Sequence, residues 1–211
     1  MQVSDLYFRL KLLTFGFLCP VFIYLGLLLS SPYWLKVSSP FHKSDVAVLE
    51  TNPFPSKKFL KSVAILFQKQ TFSKLILVIR EDKSDNALFS VQERETKLIS
   101  YLATLNLPQT SVQVLKISPS KLGDTDEVAK NVLKIAVSEN LKSILILARE
   151  YESKRMLKIY QKNLASLPLQ ISAYPFASEN TPSNWFLSEE GFREVSLEFL
   201  KYIYSAVRGV I

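Results

Sequence analysis

Apolar positions along the chain fall into two regimes. The first is one unbroken block from Leu12 to Leu35, LLTFGFLCPVFIYLGLLLSSPYWL, with no charged residue. A helix over that block rises about 36 Å at 1.5 Å per residue, enough to cross a bilayer with some tilt. Tyr33 and Trp34 close it with the amphipathic rings that favour a headgroup layer. The second regime begins after the Ser/Pro stretch VSSPFHKS, where short apolar runs alternate with segments of helical period.

Five runs read as strands: DVAVL (45–49), KLILVI (74–79), SVQVLKI (111–117), SILILA (143–148) and LQISAYP (169–175). DVAVL is short, β-branched and apolar, as a strand covered on both faces should be, and SILILA is the most apolar of the five. Between them the apolar positions recur every three or four residues. Phe59, Leu60, Val63, Ala64 and Phe67 form one face; Leu98, Ile99 and Leu102 form another. Val128, Val132, Leu133 and Ala136 follow, and Phe192, Val195, Phe199 and Ile203 mark a last helix over about 189–207. Ser90 with Glu93, and Asp124 with Glu127, carry the spacing of capping boxes.

This alternation predicts an α/β fold: a doubly wound, Rossmann-like parallel sheet of about five strands, preceded by one transmembrane helix. The chain divides into a tip and anchor (1–36), a connector (37–43) and one α/β domain (44–211). Such sheets take ligands beyond the carboxyl ends of their strands, where the strand order reverses. Four loops then come into question: Glu50-Thr51-Asn52, Arg80-Glu81-Asp82, Gly123-Asp124-Thr125 and Arg149-Glu150-Tyr151-Glu152.

Composition narrows the chemistry. The chain has 211 residues, a formal charge of +7, one cysteine (Cys19) and one histidine (His42). A disulfide within the chain and a Cys/His metal or nucleophile site are thereby excluded, and neither metal nor cofactor is expected. The basic excess is spread thinly, without the aromatic-interleaved cationic run of a nucleic-acid groove, so no nucleic acid is expected as partner. Arg9 and Lys11 precede the apolar block. By the positive-inside rule the N-terminus is then cytoplasmic and the domain lies outside the cytoplasmic membrane, although Lys36, His42 and Lys43 on the far side weaken the asymmetry. A cleaved signal peptide is the competing reading, but the block exceeds the usual ~7–15 apolar residues and no A-x-A-like site follows.

At the four loops the chain resembles the SanA/ElyC/YdcF-like proteins of the bacterial envelope. Asp45 leads DVAVL as in that family, with Glu50-Thr51 where it has glycines. Arg80-Glu81-Asp82 stands for its Ser-Gly-Gly turn. Glu95 matches its Glu-containing helix start, and Asp124-Thr125-Asp126-Glu127-Val128-Ala129 keeps part of its Asn/Ser-x-Thr-x-Glu-Asn-Ala segment. In Arg149-Glu-Tyr-Glu-Ser-Lys-Arg155 the tyrosine and arginine of a Ser-x-Tyr-His-x-x-Arg segment remain, with Glu152 at the histidine. The closing Glu198–Tyr204 stretch matches its Glu-and-tyrosine helix.

The resemblance implies an envelope protein tethered by its helix, with a site for a phosphorylated cell-wall or lipid-carrier precursor. Its ligand-binding residues are Glu50, Thr51, Arg80, Asp82, Asp124, Thr125, Tyr151 and Arg155, and Glu152 is the candidate general base. Each has a plainer alternative: Asp124 and Thr125 as helix caps, and Arg155 in an ion pair with Glu152 or Glu150. Glu152 would be a solvated helix-start acid, and Tyr151 packing. Trp185 would either wall a pocket or pin the last helix. Loss of the glycines and the histidine favours binding over turnover. An active hydrolase or transferase, with Glu152, Asp82 or Glu50 as base, is the second expectation and an interaction module the third.

Overall fold

The computed structural model describes residues 3–37, 41–81, 90–120 and 123–211, and of residues 3–10 the backbone alone. The elements run α1 (Val3–Trp34), β1 (Ser44–Glu50), α2 (Lys57–Gln68), β2 (Phe72–Arg80), α3 (Val91–Thr104), β3 (Val112–Ile117) and α4 (Asp124–Ser138). They continue through β4 (Ser143–Arg149), α5 (Ser153–Asn163), β5 (Gln170–Phe176) and α6 (Glu189–Val207), with a single 3-10 turn, Glu150–Glu152, between β4 and α5. All five expected strands form, in the order β3-β2-β1-β4-β5, and every neighbouring pair is parallel.

Period-two alternation sends successive residues of each strand into two cores. Val46, Val48, Ile144 and Ile146 pack with Val128, Val132 and Ile159 of α4 and α5. Ala47, Leu49, Leu145 and Leu147 pack with Leu60, Val63, Leu98 and Leu102 of α2 and α3. Burying each Val, Leu or Ile contributes about 1.5–3 kcal/mol, so the doubly covered sheet is the main source of stability. It also explains the unbroken apolar runs.

Helix starts divide by chemistry. Ser56 caps α2 by accepting the Phe59 amide, and Ser90 with Glu93 closes the expected capping box on α3. At α4 the structure departs from the capping pattern. Gly123, at φ 115°, takes the cap position without a side-chain bond, and the Asp124 carboxylate turns to Arg80 and Asn52 instead. That φ lies in the range that favours glycine.

A third cluster joins α1 to the domain. Leu28, Ser31 and Pro32 on the last two turns of α1, with Leu35 just past its end, form one buried face. Leu28 and Leu35 meet Tyr151, Trp185, Val195 and Phe199 there. Beyond α1, Lys36 pairs with Glu150 at 3.2 Å, and the Val37 amide donates to Ser153 Oγ. α1 therefore ends docked on the domain. Of the α6 stripe, Val195 and Phe199 are buried, whereas Phe192 and Ile203 are exposed. Among the described residues α1 is the one helix long and apolar enough to cross a membrane.

Candidate functional site at the sheet switch point

β1 and β4 lie side by side at the centre of the sheet, but the chain leaves them toward opposite faces. β1 leads to α2 and β4 to α5, so Glu50 and Arg149 end their strands at the position where sheets of this kind take ligands. Thr125 Oγ1, in the first turn of α4, donates to Glu50 Oε2 at 2.9 Å, and the Tyr160 hydroxyl of α5 donates to Oε1 at 3.1 Å. Three elements thus meet on one carboxyl group.

Its environment favours the neutral acid. Burial pushes the Glu50 pKa up to about 7, against the Thr125 hydrogen bond and the nearby Arg155 charge, and the Glu152 charge adds to the rise. Burial, with the Glu50 charge beside it, likewise drives the Tyr160 phenol upward, so this hydroxyl stays protonated and acts as a donor. Glu50 can hold or release a proton near neutrality, the condition a general acid–base group or a proton-linked binding group needs.

The remaining charges at this end are matched to one another. Arg155 is buried on α5, and its Nε and Nη2 both reach Glu198 Oε2 of α6 at 3.0 Å. Lys201 takes Glu198 Oε1 at 2.7 Å. Burial works to raise the Glu198 carboxyl, yet Arg155 and Lys201 together hold it below the usual range. Arg155 forms an ion pair, as one reading of the sequence had it, but with a partner 43 residues away rather than a neighbouring acid. A phosphate reaching Arg155 would compete with that carboxylate.

Glu152 is committed to Arg149, accepting its backbone amide at 3.0 Å and its guanidinium at 3.2 and 3.0 Å. Glu150 accepts from Lys36 and from the Ser178 amide. Tyr151 is fully buried and donates to the Asn180 carbonyl, so it packs, and Trp185 beside it pins α6. The Thr51 hydroxyl bonds the Val78 carbonyl at 2.7 Å, turned into the sheet. Asp124 accepts from Arg80 at 2.8 Å and Asn52 at 3.0 Å, tying three of the four loops together. Asp82 lies outside the described residues.

Of the expected site residues, the structure therefore brings Glu50 into contact with Thr125 and Arg80 into contact with Asp124, and places Arg155 and Glu152 near enough to affect the Glu50 charge. Tyr160 and Glu198 are the partners that sequence reasoning did not place in the site. Tyr160 follows Ile159 in an amphipathic helix and reads as core; only the fold turns its hydroxyl to Glu50. Comparison with protein-family models finds none that matches, and comparison with curated proteins finds no similar sequence.

Proposed function

We propose that this is a single-pass membrane protein whose α/β domain binds a phosphorylated envelope precursor at the switch point, binding it rather than turning it over. The observation that carries the reading is Glu50: a carboxyl enclosed at the fold's ligand-binding position and kept largely neutral below about pH 7. A neutral carboxyl can lie beside a phosphate, and the uncapped start of α4 directs amide hydrogens to the same end of the sheet. The motif resemblance to the SanA/ElyC/YdcF-like proteins supplies the class of ligand. The carboxylates already facing Arg155, Arg149 and Arg80 weigh against a site tuned for rapid phosphate chemistry.

The expected topology has the N-terminus in the cytoplasm and the domain outside it, on the strength of Arg9 and Lys11. Protease added to intact spheroplasts should then digest the domain; full protection would reverse the orientation. Binding is tested with the full-length protein in nanodiscs, titrated with a sugar phosphate and with inorganic phosphate. Thr125→Val removes the hydroxyl that Glu50 accepts while keeping its shape, so the Glu50 carboxyl should stay neutral to higher pH and sugar-phosphate binding at about pH 8 should tighten. Equal affinity in the two proteins would remove Thr125, and the site built on it, from the reading.

A hydrolase or transferase is the second reading, favoured by the same Glu50 titration. It requires that Glu50→Gln abolish turnover of the sugar phosphate.

A further inference from the structure

We infer that the C-terminal half of α6 lies in the interfacial layer of the bilayer that α1 crosses, so that the domain is seated on lipid. The inference rests on reading α1 as a membrane span, and α6 adds a second contact that the span alone does not require.

Length sets the depth. A hydrocarbon core of about 30 Å takes about 20 helical residues. Counted from Leu12, the first residue past Lys11, twenty residues end at Ser31. Yet the face of α1 docked on the domain already includes Leu28, 7% exposed, and Ser31. Tyr24, deeper still, meets Phe199 of α6 edge to face with ring centroids 5.7 Å apart. Trp34, at the end of α1, meets the same Phe199 at 5.9 Å and Tyr202 at 5.3 Å. α6 therefore runs against a part of α1 that a bilayer of ordinary thickness encloses, and it cannot stand clear of the membrane while α1 spans it.

The surface of α6 matches that placement. Leu200, Ile203, Tyr204 and Val207 are spaced i, i+3, i+4 and i+7, so they share one face, and all four are exposed, Val207 at 81%. They flank the buried positions Val195 and Phe199 that hold α6 on the domain and the anchor. Arg208 lies over the Tyr204 ring at 5.8 Å, where its charge can reach headgroups while its stem covers apolar surface. A helix with an apolar stripe, tyrosine at its edge and a cation at its end is suited to the boundary between headgroup and acyl chain. Because α6 packs through Phe199 and Tyr202 on the part of α1 that the bilayer encloses, the occupant we assign is lipid and not a second copy of the chain.

Site-directed spin labels test this on the full-length protein, with Cys19→Ser as background and single cysteines at Phe22, Lys134, Ile203 or Val207. The protein is reconstituted in phosphatidylcholine–phosphatidylglycerol vesicles, and relaxation is measured with oxygen and with a water-soluble nickel chelate. Labels at 203 and 207 should favour oxygen over nickel, as at 22, with the ratio reversed at the exposed α4 position 134. Nickel preference at 203 and 207 with oxygen preference at 22 would overturn the inference and leave the anchor standing. Nickel preference at 22 as well would remove the anchor and the inference together. Exclusion of both reagents at 203, with dipolar broadening between labels, would put a second copy on the stripe and overturn the lipid assignment.

Discussion

Glu50→Gln is expected to stabilise the protein by up to about 3 kcal/mol at pH 8 and to change it little at pH 4. In the unfolded chain this carboxyl loses its proton near its ordinary value of 4.5; in the fold it does so at about 7. Below 4.5 both states carry the proton, and this group costs the fold nothing. Between 4.5 and 7 the unfolded chain ionises first, so stability falls as pH rises, by about 1.4 kcal/mol per pH unit. Above 7 the folded protein holds a buried anion and the loss is complete. Glutamine cannot ionise and can still accept a hydroxyl bond, so its unfolding curve should lack this slope. Thermal unfolding followed by circular dichroism from about pH 4 to pH 8 reads the difference directly. Parallel curves for the two proteins would mean that Glu50 titrates as an ordinary surface acid. A residue that lowers stability at neutral pH and sits where the fold binds ligands has the profile of a functional group.

The second large effect is a loss. Glu198→Ala leaves the Arg155 guanidinium, itself buried, without the carboxylate that both Nε and Nη2 address. Removing one partner of a buried pair costs about 3–5 kcal/mol, because the other charge stays desolvated. The pair joins α5 to α6, so amide exchange should rise first in α6. Because Glu198 is held below the ordinary carboxylate range, its stabilisation is present above that range and fades as pH falls through the lowered value, opposite in sign to Glu50. A double change, Glu198→Leu with Arg155→Met, should recover much of the loss; a destabilisation as large as in the single variant would show that packing, not charge, holds α6.

Much of this architecture is legible in the sequence, for a physical reason. A strand buried on both faces must be apolar at nearly every position, so the inner strands β1, β2 and β4 announce themselves within one or two residues, while the half-buried edge strands β3 and β5 show through their partial apolar runs. The α3 cap is equally legible, since Ser90 and Glu93 act within one helical turn. What cannot be read are the partners that only tertiary structure brings together. Asp124 with Glu127 has a capping spacing, but Arg80 and Asn52, distant in sequence, draw the Asp124 carboxylate away and Gly123 takes the cap. Arg155 has acids one turn away and pairs with Glu198 across the fold. Glu50 is visible as the end of a strand, while its raised proton affinity depends on burial by helices that begin 70 or more residues later. The docked face of α1 is hidden for another reason: Leu28 and Leu35 look like any lipid-facing leucine until α6 is placed against them.

The most direct test of the central claim is sugar-phosphate affinity as a function of pH, measured by calorimetry on the full-length protein in nanodiscs. If the ligand binds beside a neutral Glu50, wild type must take up a proton on binding wherever that group is ionised. Affinity should then rise about tenfold between pH 8 and pH 6, as a group titrating near 7 goes from mostly charged to mostly neutral, with heat that varies with buffer ionisation. Glu50→Gln should bind as tightly at about pH 8 as wild type does at about pH 6, apart from the ligand's own titration. No binding at either pH, or the same pH profile in both proteins, would contradict the assignment of the switch point as a phosphate-ligand site.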